Sequence, residues 1–242
     1  MKKKRMLQMI LMLGLAFTLP AAGRAQNDTT SDKSANPVSS DDQTNQPSLK
    51  ELMATNNMVT NTVGMVLVKI SPTLWAGRCE VTQESYEKVM GGNPSTFKGA
   101  NKPVDSVNWN DAMAFCDKIT KLEQRTDDLP KGFTYSLPTQ DQWKMLAGDA
   151  SLDGAVMSLN ARSRASTEQV GSLKPNGLGL YDTRGNVLEW CLDSQDKSYR
   201  VLRGGAWDTY IEVNSRVEFR EYSSPDKTKS DYGFRVVLEK NQ

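Results

Sequence analysis

The residues that could do chemistry are few. The 242-residue chain has no histidine and three cysteines, Cys79, Cys116 and Cys191. Without an imidazole, a Ser-His-Asp triad, a Cys-His dyad, a three-histidine zinc or iron site and a His-x-Glu deaminase centre are all excluded. Proton transfer near neutral pH falls to carboxylates, lysine, tyrosine or cysteine. The thiols stand far apart with no C-x-x-C pair, so a zinc knuckle is excluded too. In an oxidising compartment an odd count leaves at least one thiol free or bridging to a partner, and three pairings are open. Arg203, Arg216, Arg220 and Arg235 could gather an anion. Such arginines more often brace buried loops by pairing with carboxylates, here Asp182, Glu189, Glu218 or Asp231.

Charge narrows the partners. All five basic residues of the first 25 (Lys2, Lys3, Lys4, Arg5 and Arg24) come without an acid. Removing them leaves 25 basic residues against 29 acidic, a net charge of −4. Nucleic acid is therefore not an expected partner, because phosphate binding needs a basic face.

The elements that must position these residues are legible in part. Gly64–Ile70 reads as a buried strand, with 74–81 able to pair with it. Thr82 caps a helix through Met90 that Gly91-Gly92 ends, with Tyr86, Val89 and Met90 on one face. Asn108 opens a second helix with Asp111 at its third position, and Ala112, Phe115, Cys116, Ile119 and Leu122 form its apolar stripe. Thr139 and Gln142 form a capping box on a third helix that turns Trp143, Leu146 and Ala147 inward. Beyond about residue 150 the chain is loop-rich, with short strands at 186–191, 200–207 and 233–238 anchored by Trp190, Trp207 and Phe234. Together these predict an α+β fold with two to three helices and short antiparallel strands.

The N-terminus reads as an address. Lys2–Arg5 precedes an apolar run over Met6–Leu19, then Pro20 and the small residues Gly23 and Ala25. This pattern predicts a secretory signal peptide over residues 1–25 and places the protein in the periplasm or outside the cell. The run is short for a hydrocarbon core of roughly 30 Å, which argues against a retained anchor, and no later stretch could span a membrane. Residues 26–60 are expected to form a polar, disordered linker, with a short helix over Leu49–Asn57. The folded domain is expected over 61–240.

Several segments, in order, resemble one family. Glu80-Val81-Thr82-Gln83, Asn93-Pro94-Ser95-Thr96-Phe97-Lys98-Gly99 and Val107-Asn108-Trp109-Asn110-Asp111-Ala112 come first. Leu137-Pro138-Thr139 with Trp143 follows. Then come Asn176–Asp182, Gly185-Asn186-Val187-Leu188-Glu189-Trp190, Arg203-Gly204-Gly205-Ala206-Trp207 and Gly233-Phe234-Arg235. This domain resembles the formylglycine-generating enzyme, or sulfatase-modifying factor, family, and the resemblance implies a C-type-lectin-like fold. It marks Arg203, Gly204, Gly205, Arg216 and Arg235 as structural positions.

The resemblance also implies sites. The family oxidase converts a substrate cysteine to formylglycine with Cu(I) on two cysteines just after the R-G-G-S segment, since thiolates suit a soft ion. Those two positions are Thr209 and Asn214 here, so copper and formylglycine formation are not expected, and no catalytic residue is assigned. The family's iron-dependent sulfoxide synthases need metal-binding histidines, which this chain lacks. The resemblance implies calcium on the side chains of Asp182 and Glu189 and the main-chain oxygens of Gly185 and Val187. It implies a binding cleft at Trp207, Asp208, Thr209, Tyr210, Glu212 and Asn214. The reading that results is a secreted, non-catalytic domain binding a protein, peptide or glycan at the cell envelope. The alternatives are a divergent oxidase, in which Cys79 and Cys191 form a displaced copper pair, and a structural subunit of an envelope assembly.

Overall fold

A computed structural model describes residues 47–159, 163–196 and 198–241. The expected signal peptide and the linker up to residue 46 lie outside the described residues.

The elements run α1 (Leu49–Thr55), β1 (Met58–Thr60), β2 (Val66–Ser71), β3 (Leu74–Gly77), α2 (Gln83–Met90), α3 (Trp109–Arg125), β4 (Phe133–Ser136), α4 (Gln140–Ala147), β5 (Leu188–Ser194), β6 (Arg200–Arg203), β7 (Glu221–Ser223), β8 (Tyr232–Gly233) and β9 (Val237–Lys240). They build two sheets, one of five strands in the order β1-β2-β3-β9-β4 and one of four in the order β7-β6-β5-β8. The fold is α+β. Pairing is antiparallel except between β5 and β8, which run parallel with Leu188 opposite Tyr232 and Glu189 opposite Gly233. The strands are thus mainly antiparallel, as expected, with this one parallel pair among the named strands. The chain returns from β7 through the 224–231 loop and lays β8 beside β5 rather than folding back as a hairpin.

The helices begin where their capping chemistry dictates. Thr82 accepts from the Ser85 amide, Asn108 from Asp111 and Thr139 from Gln142, so in each first turn one otherwise unpaired N–H group is satisfied by the cap. Gly91, at φ 82°, closes α2 in the left-handed conformation. On α3 the stripe of Ala112, Phe115, Cys116 and Ile119 is buried, but Leu122 is 40% exposed and Glu123 takes the inward position. The 3.6-residue period carries position 123 onto the face of 112, 116 and 119. Its carboxylate is satisfied there by the Thr62 amide and hydroxyl and by the Tyr135 hydroxyl at 2.8 Å.

The fold starts earlier than composition indicates. Leu49 and Met53 of α1 and Val59 of β1 are buried in the main core, and β1 pairs with β2 from Met58–Val68 to Thr60–Val66. The expected boundary near Asn61 therefore moves to about Ser48, whose hydroxyl and amide close a capping box with Glu51. Three spaced apolar side chains suffice to anchor a segment that otherwise reads as polar linker.

The main core lies between the sheets and helices α2 and α3. Phe115 stacks on Tyr86 at 5.7 Å and meets Phe234 edge-on at 5.4 Å, while Trp190 meets Tyr232 edge-on at 5.2 Å. The buried Trp190 indole donates to the Val107 carbonyl at 3.0 Å, so its polar end is not orphaned.

Candidate functional site

A buried polar knot and an open cleft lie on either side of β5. The knot centres on Arg235. Its guanidinium donates to Glu189 Oε1 at 2.8 Å, to the Gly77 carbonyl at 2.8 Å and to the Tyr181 carbonyl at 2.6 Å. Both members of the ion pair are fully buried. Trp143 Nε1 donates to Glu189 Oε2 at 2.8 Å. Beside them Glu80 receives the Val187 amide at 3.0 Å and the Asn186 side-chain amide at 2.7 Å. Burial, with Asp182 and Glu189 nearby, pushes the Glu80 carboxyl well above the usual carboxylate range. Asp182, at φ 53°, accepts from the Gly171 amide at 2.6 Å.

The loop that connects these groups has no slack. Gly185 has φ 89°, and a Cβ there would lie 2.6 Å from the Val156 carbonyl oxygen. Its amide donates to the Gly204 carbonyl at 2.9 Å, tying it to the Arg203-Gly204-Gly205 corner.

The structure brings Asp182, Gly185 and Val187 together with Glu189 at the start of β5, where the Glu189 carboxylate already pairs with Arg235 and accepts from the Trp143 indole. Among the described residues no group of three or more acidic, cysteine or histidine side chains is arranged to hold a metal ion.

Arg203 is buried and donates to the Val217 and Phe219 carbonyls at 2.9 and 3.0 Å and to Gln140 Oε1, which Arg220 also reaches. Carbonyl oxygens, not the expected carboxylates, hold it. Arg216 is exposed, and its backbone, not its guanidinium, takes part in the turn after the Glu212–Ser215 helix. The thiols do not converge. Cys191 is buried with Trp143, Ala147 and Val201, and Cys116 is buried on α3. Cys79 lines a small cavity with Met65, Val66 and Val170, where burial pushes its thiol up to about 11. Cys79 and Cys191 thus sit in different surroundings, one at a small cavity and one packed against α4 and β6.

The cleft lies on the other face of β5. It is open, encloses about 180 Å³, and is lined by Leu188, Gly205, Asp208, Thr209, Tyr210, Ile211, Asn214, Phe219, Glu221 and Asp231. Four of the six expected cleft residues are there: Asp208, Thr209, Tyr210 and Asn214. Trp207 is not. It packs against the core, meets Phe97 edge-on at 5.1 Å and donates from Nε1 to the Ser230 carbonyl. Glu212 is exposed on the helical turn outside the lining.

Thr209 and Asn214, at the family's copper positions, offer a hydroxyl and an amide. Thr209 Oγ1 already accepts from the Ala206 amide at 2.8 Å. That donor set does not suit a soft cuprous ion. Leu188 lines the cleft from β5.

Sequence reasoning missed Glu221 and Asp231, which bring further carboxylates into the cleft. The 222–231 segment reads as an ordinary polar loop, and only the parallel β5–β8 pairing, with the Leu188 amide on the Asp231 carbonyl at 2.7 Å, carries Asp231 there. Burial and the nearby Asp208 raise the Asp231 carboxyl to about 6, and burial raises Asp208 as well.

Fold and site together define a sulfatase-modifying-factor domain with a C-type-lectin-like architecture. The chain belongs to this family: residues 38–240 match the Sulfatase-modifying factor enzyme 1-like domain. It is 30% identical to the Chaperone protein LppX of Paenibacillus barcinonensis, over 69% of this chain and 80% of that one. It is also 30% identical to the Formylglycine-generating enzyme of Streptomyces coelicolor, over 57% of this chain, and spans about half of that enzyme's length (52%). Among solved structures, Treponema denticola variable protein 1 superposes with a TM-score of 0.58 at 26% identity, over 76% of this chain and 91% of that one.

Two outcomes are expected. Arg235→Met leaves Glu189 buried and uncompensated and should cost about 3–5 kcal/mol, whereas Arg235→Met with Glu189→Leu should cost markedly less. Urea midpoints of the three proteins decide it, and equal losses would show that the pair is not coupled. Asp231, held near 6 against an ordinary 3.8, binds its proton more tightly when folded. Its contribution is therefore present at low pH and lost as pH rises from about 4 to about 6. Asp231→Asn should accordingly be more stabilising at pH 7 than at pH 4.5, with Asp208, Glu221 and Lys229 left in place. A gain independent of pH would contradict the shift.

Proposed function

We propose that this protein is an exported, non-catalytic member of the family that uses the 205–231 cleft to bind a protein, peptide or glycan partner at the cell envelope. One observation carries the reading: the residues at the copper-ligand positions, Thr209 and Asn214, line an intact cleft that lacks thiols. The scaffold around the site is kept while its metal-binding chemistry is gone. A cleft rimmed by Tyr210, which is 75% exposed, offers contact area at low entropic cost, as a binding surface requires. The basic and apolar start of the chain supports export. Among the described residues no helix is long and apolar enough to cross a membrane. A fold of this kind is compatible with many activities, so the proposal rests on the site.

Titration of the full chain with Cu(I) under reducing conditions, against a competing chelator and with free thiols counted on the same sample, tests it. No tight one-to-one complex is expected, and a cysteine-containing sulfatase peptide should remain unoxidised in air. One copper held by two thiols, followed by aldehyde formation on the peptide, would overturn the non-catalytic reading.

A further inference from the structure

A second cavity lies apart from the cleft and shares no lining residue with it. It encloses about 270 Å³ between the loop that follows α4 and the loop that leads into β5. Ala155 and Leu180 give it a buried apolar lining. Charges of both signs also line it: Lys174 and Arg184 on one hand, Asp149 and Asp153 on the other. Among the described residues none of these four takes part in an ion pair. Asp182 lines the cavity too, with its carboxylate accepting from the Gly171 amide. Arg184 is half-buried and is held by backbone alone. Its Nε donates to the Ser215 carbonyl at 2.8 Å, its Nη2 to the same oxygen, and its Nη1 to the Ala150 carbonyl at 3.0 Å. A guanidinium has five N–H bonds, so one on each Nη nitrogen is left for another acceptor. Burial is the largest influence on this guanidinium and pulls it below its ordinary value, against the weaker effect of Glu218 and Glu212. The fold therefore desolvates a cation, fixes its orientation and brings it no carboxylate.

We propose that this cavity binds a small dipolar molecule of the α-amino acid class, with its carboxylate on Arg184 beside Lys174 and its ammonium toward Asp149 and Asp153. The site is separate from the cleft, and the inference stands whether or not the cleft takes a partner. Charge supports it. Opposite charges that line one cavity without meeting leave a gap that a molecule carrying both signs fills. An anion alone would face the two aspartates, and a cation alone would face Arg184 and Lys174. A neutral sugar would leave the half-buried guanidinium without a counter-charge. Geometry supports it, because the two N–H bonds left on Arg184 match the two oxygens of a carboxylate. Size supports it: about 270 Å³ lies just under the ~300 Å³ at which drug-sized pockets begin, which suits a ligand smaller than those. The buried Ala155 and Leu180 offer an apolar side chain a place away from water.

The test is calorimetry of the full chain at pH 7.5 with each standard amino acid and with a panel of neutral monosaccharides. The tightest amino acid is then measured again with its amine acetylated and with its carboxylate amidated. The variants are Lys174→Ala, Asp149→Asn/Asp153→Asn and Arg184→Lys, and thermal melts check that they fold. The first two change exposed side chains, and asparagine at 149 still accepts from the Gly177 amide that Asp149 holds at 3.1 Å, so they decide the matter if Arg184→Lys does not fold. An amino acid with an apolar side chain should bind, and blocking either end should weaken it at least about tenfold. Lys174→Ala and Arg184→Lys should shrink the penalty for amidation, and the asparagine pair should shrink the penalty for acetylation. Blocked forms that bind like the free amino acid, or a monosaccharide that binds in preference, would overturn the dipolar occupant. Amino acid binding that every folded variant leaves unchanged would place the ligand elsewhere and overturn the assignment to this cavity. No binding by any probe to the folded native chain would overturn the site itself.

Discussion

Arg235 is placed where a charge is costly, and its surroundings explain why it is there. It sits between β8 and β9, reaches the Gly77 carbonyl at the end of β3, the Tyr181 carbonyl in the long loop, and Glu189 on β5. Through Glu189 it also reaches Trp143 of α4. One guanidinium thus joins the five-stranded sheet, the four-stranded sheet, a helix and the least regular stretch of chain. Desolvating the pair offsets much of its Coulomb gain, so its value lies less in net stability than in fixing one arrangement of loops that apolar packing alone would leave degenerate.

The cleft depends on that arrangement. Along β5 successive side chains face opposite ways, so fixing Glu189 toward Arg235 sends the buried Leu188 to the opposite face, where it lines the cleft. The Gly204-Gly205 corner, tied to Gly185 through a backbone hydrogen bond, holds the start of the 208–214 segment. Function on this fold is carried by loops positioned by a rigid scaffold, and here a single ionic knot supplies much of the rigidity. Arg235 supplies a positive charge beside this loop, where the family resemblance implied a metal.

Where sequence reading succeeded, the governing physics is local. Capping side chains three residues from their targets, a left-handed glycine after a helix and a 3.6-residue apolar period all act within one turn, so Thr82, Asn108, Thr139 and Gly91 could be read directly. Arg235 and Glu189 were among the expected pairings, though their exclusive match was not visible in spacing. What escaped depended on long-range pairing. Glu123, which the helical period turns inward, can be buried there because Thr62, 61 residues away, and Tyr135 supply its hydrogen bonds. Leu49, Met53 and Val59 looked like linker because burial of three side chains leaves almost no compositional trace. Asp231 reached the cleft through a parallel strand of two residues, too short to announce itself. Trp207 left the cleft for the core because Phe97 and the Ser230 carbonyl offered both ends of its ring a partner.

If Arg235 neutralises this loop in place of a divalent ion, the fold should not need calcium. Thermal unfolding of the full chain in excess EDTA and in millimolar calcium tests this directly, since any ion bound only by the native state raises the melting temperature with its concentration. The melting temperature should be the same in both. A clear drop in EDTA that calcium restores would show that a cation, and not the Arg235–Glu189 pair alone, holds the loop together.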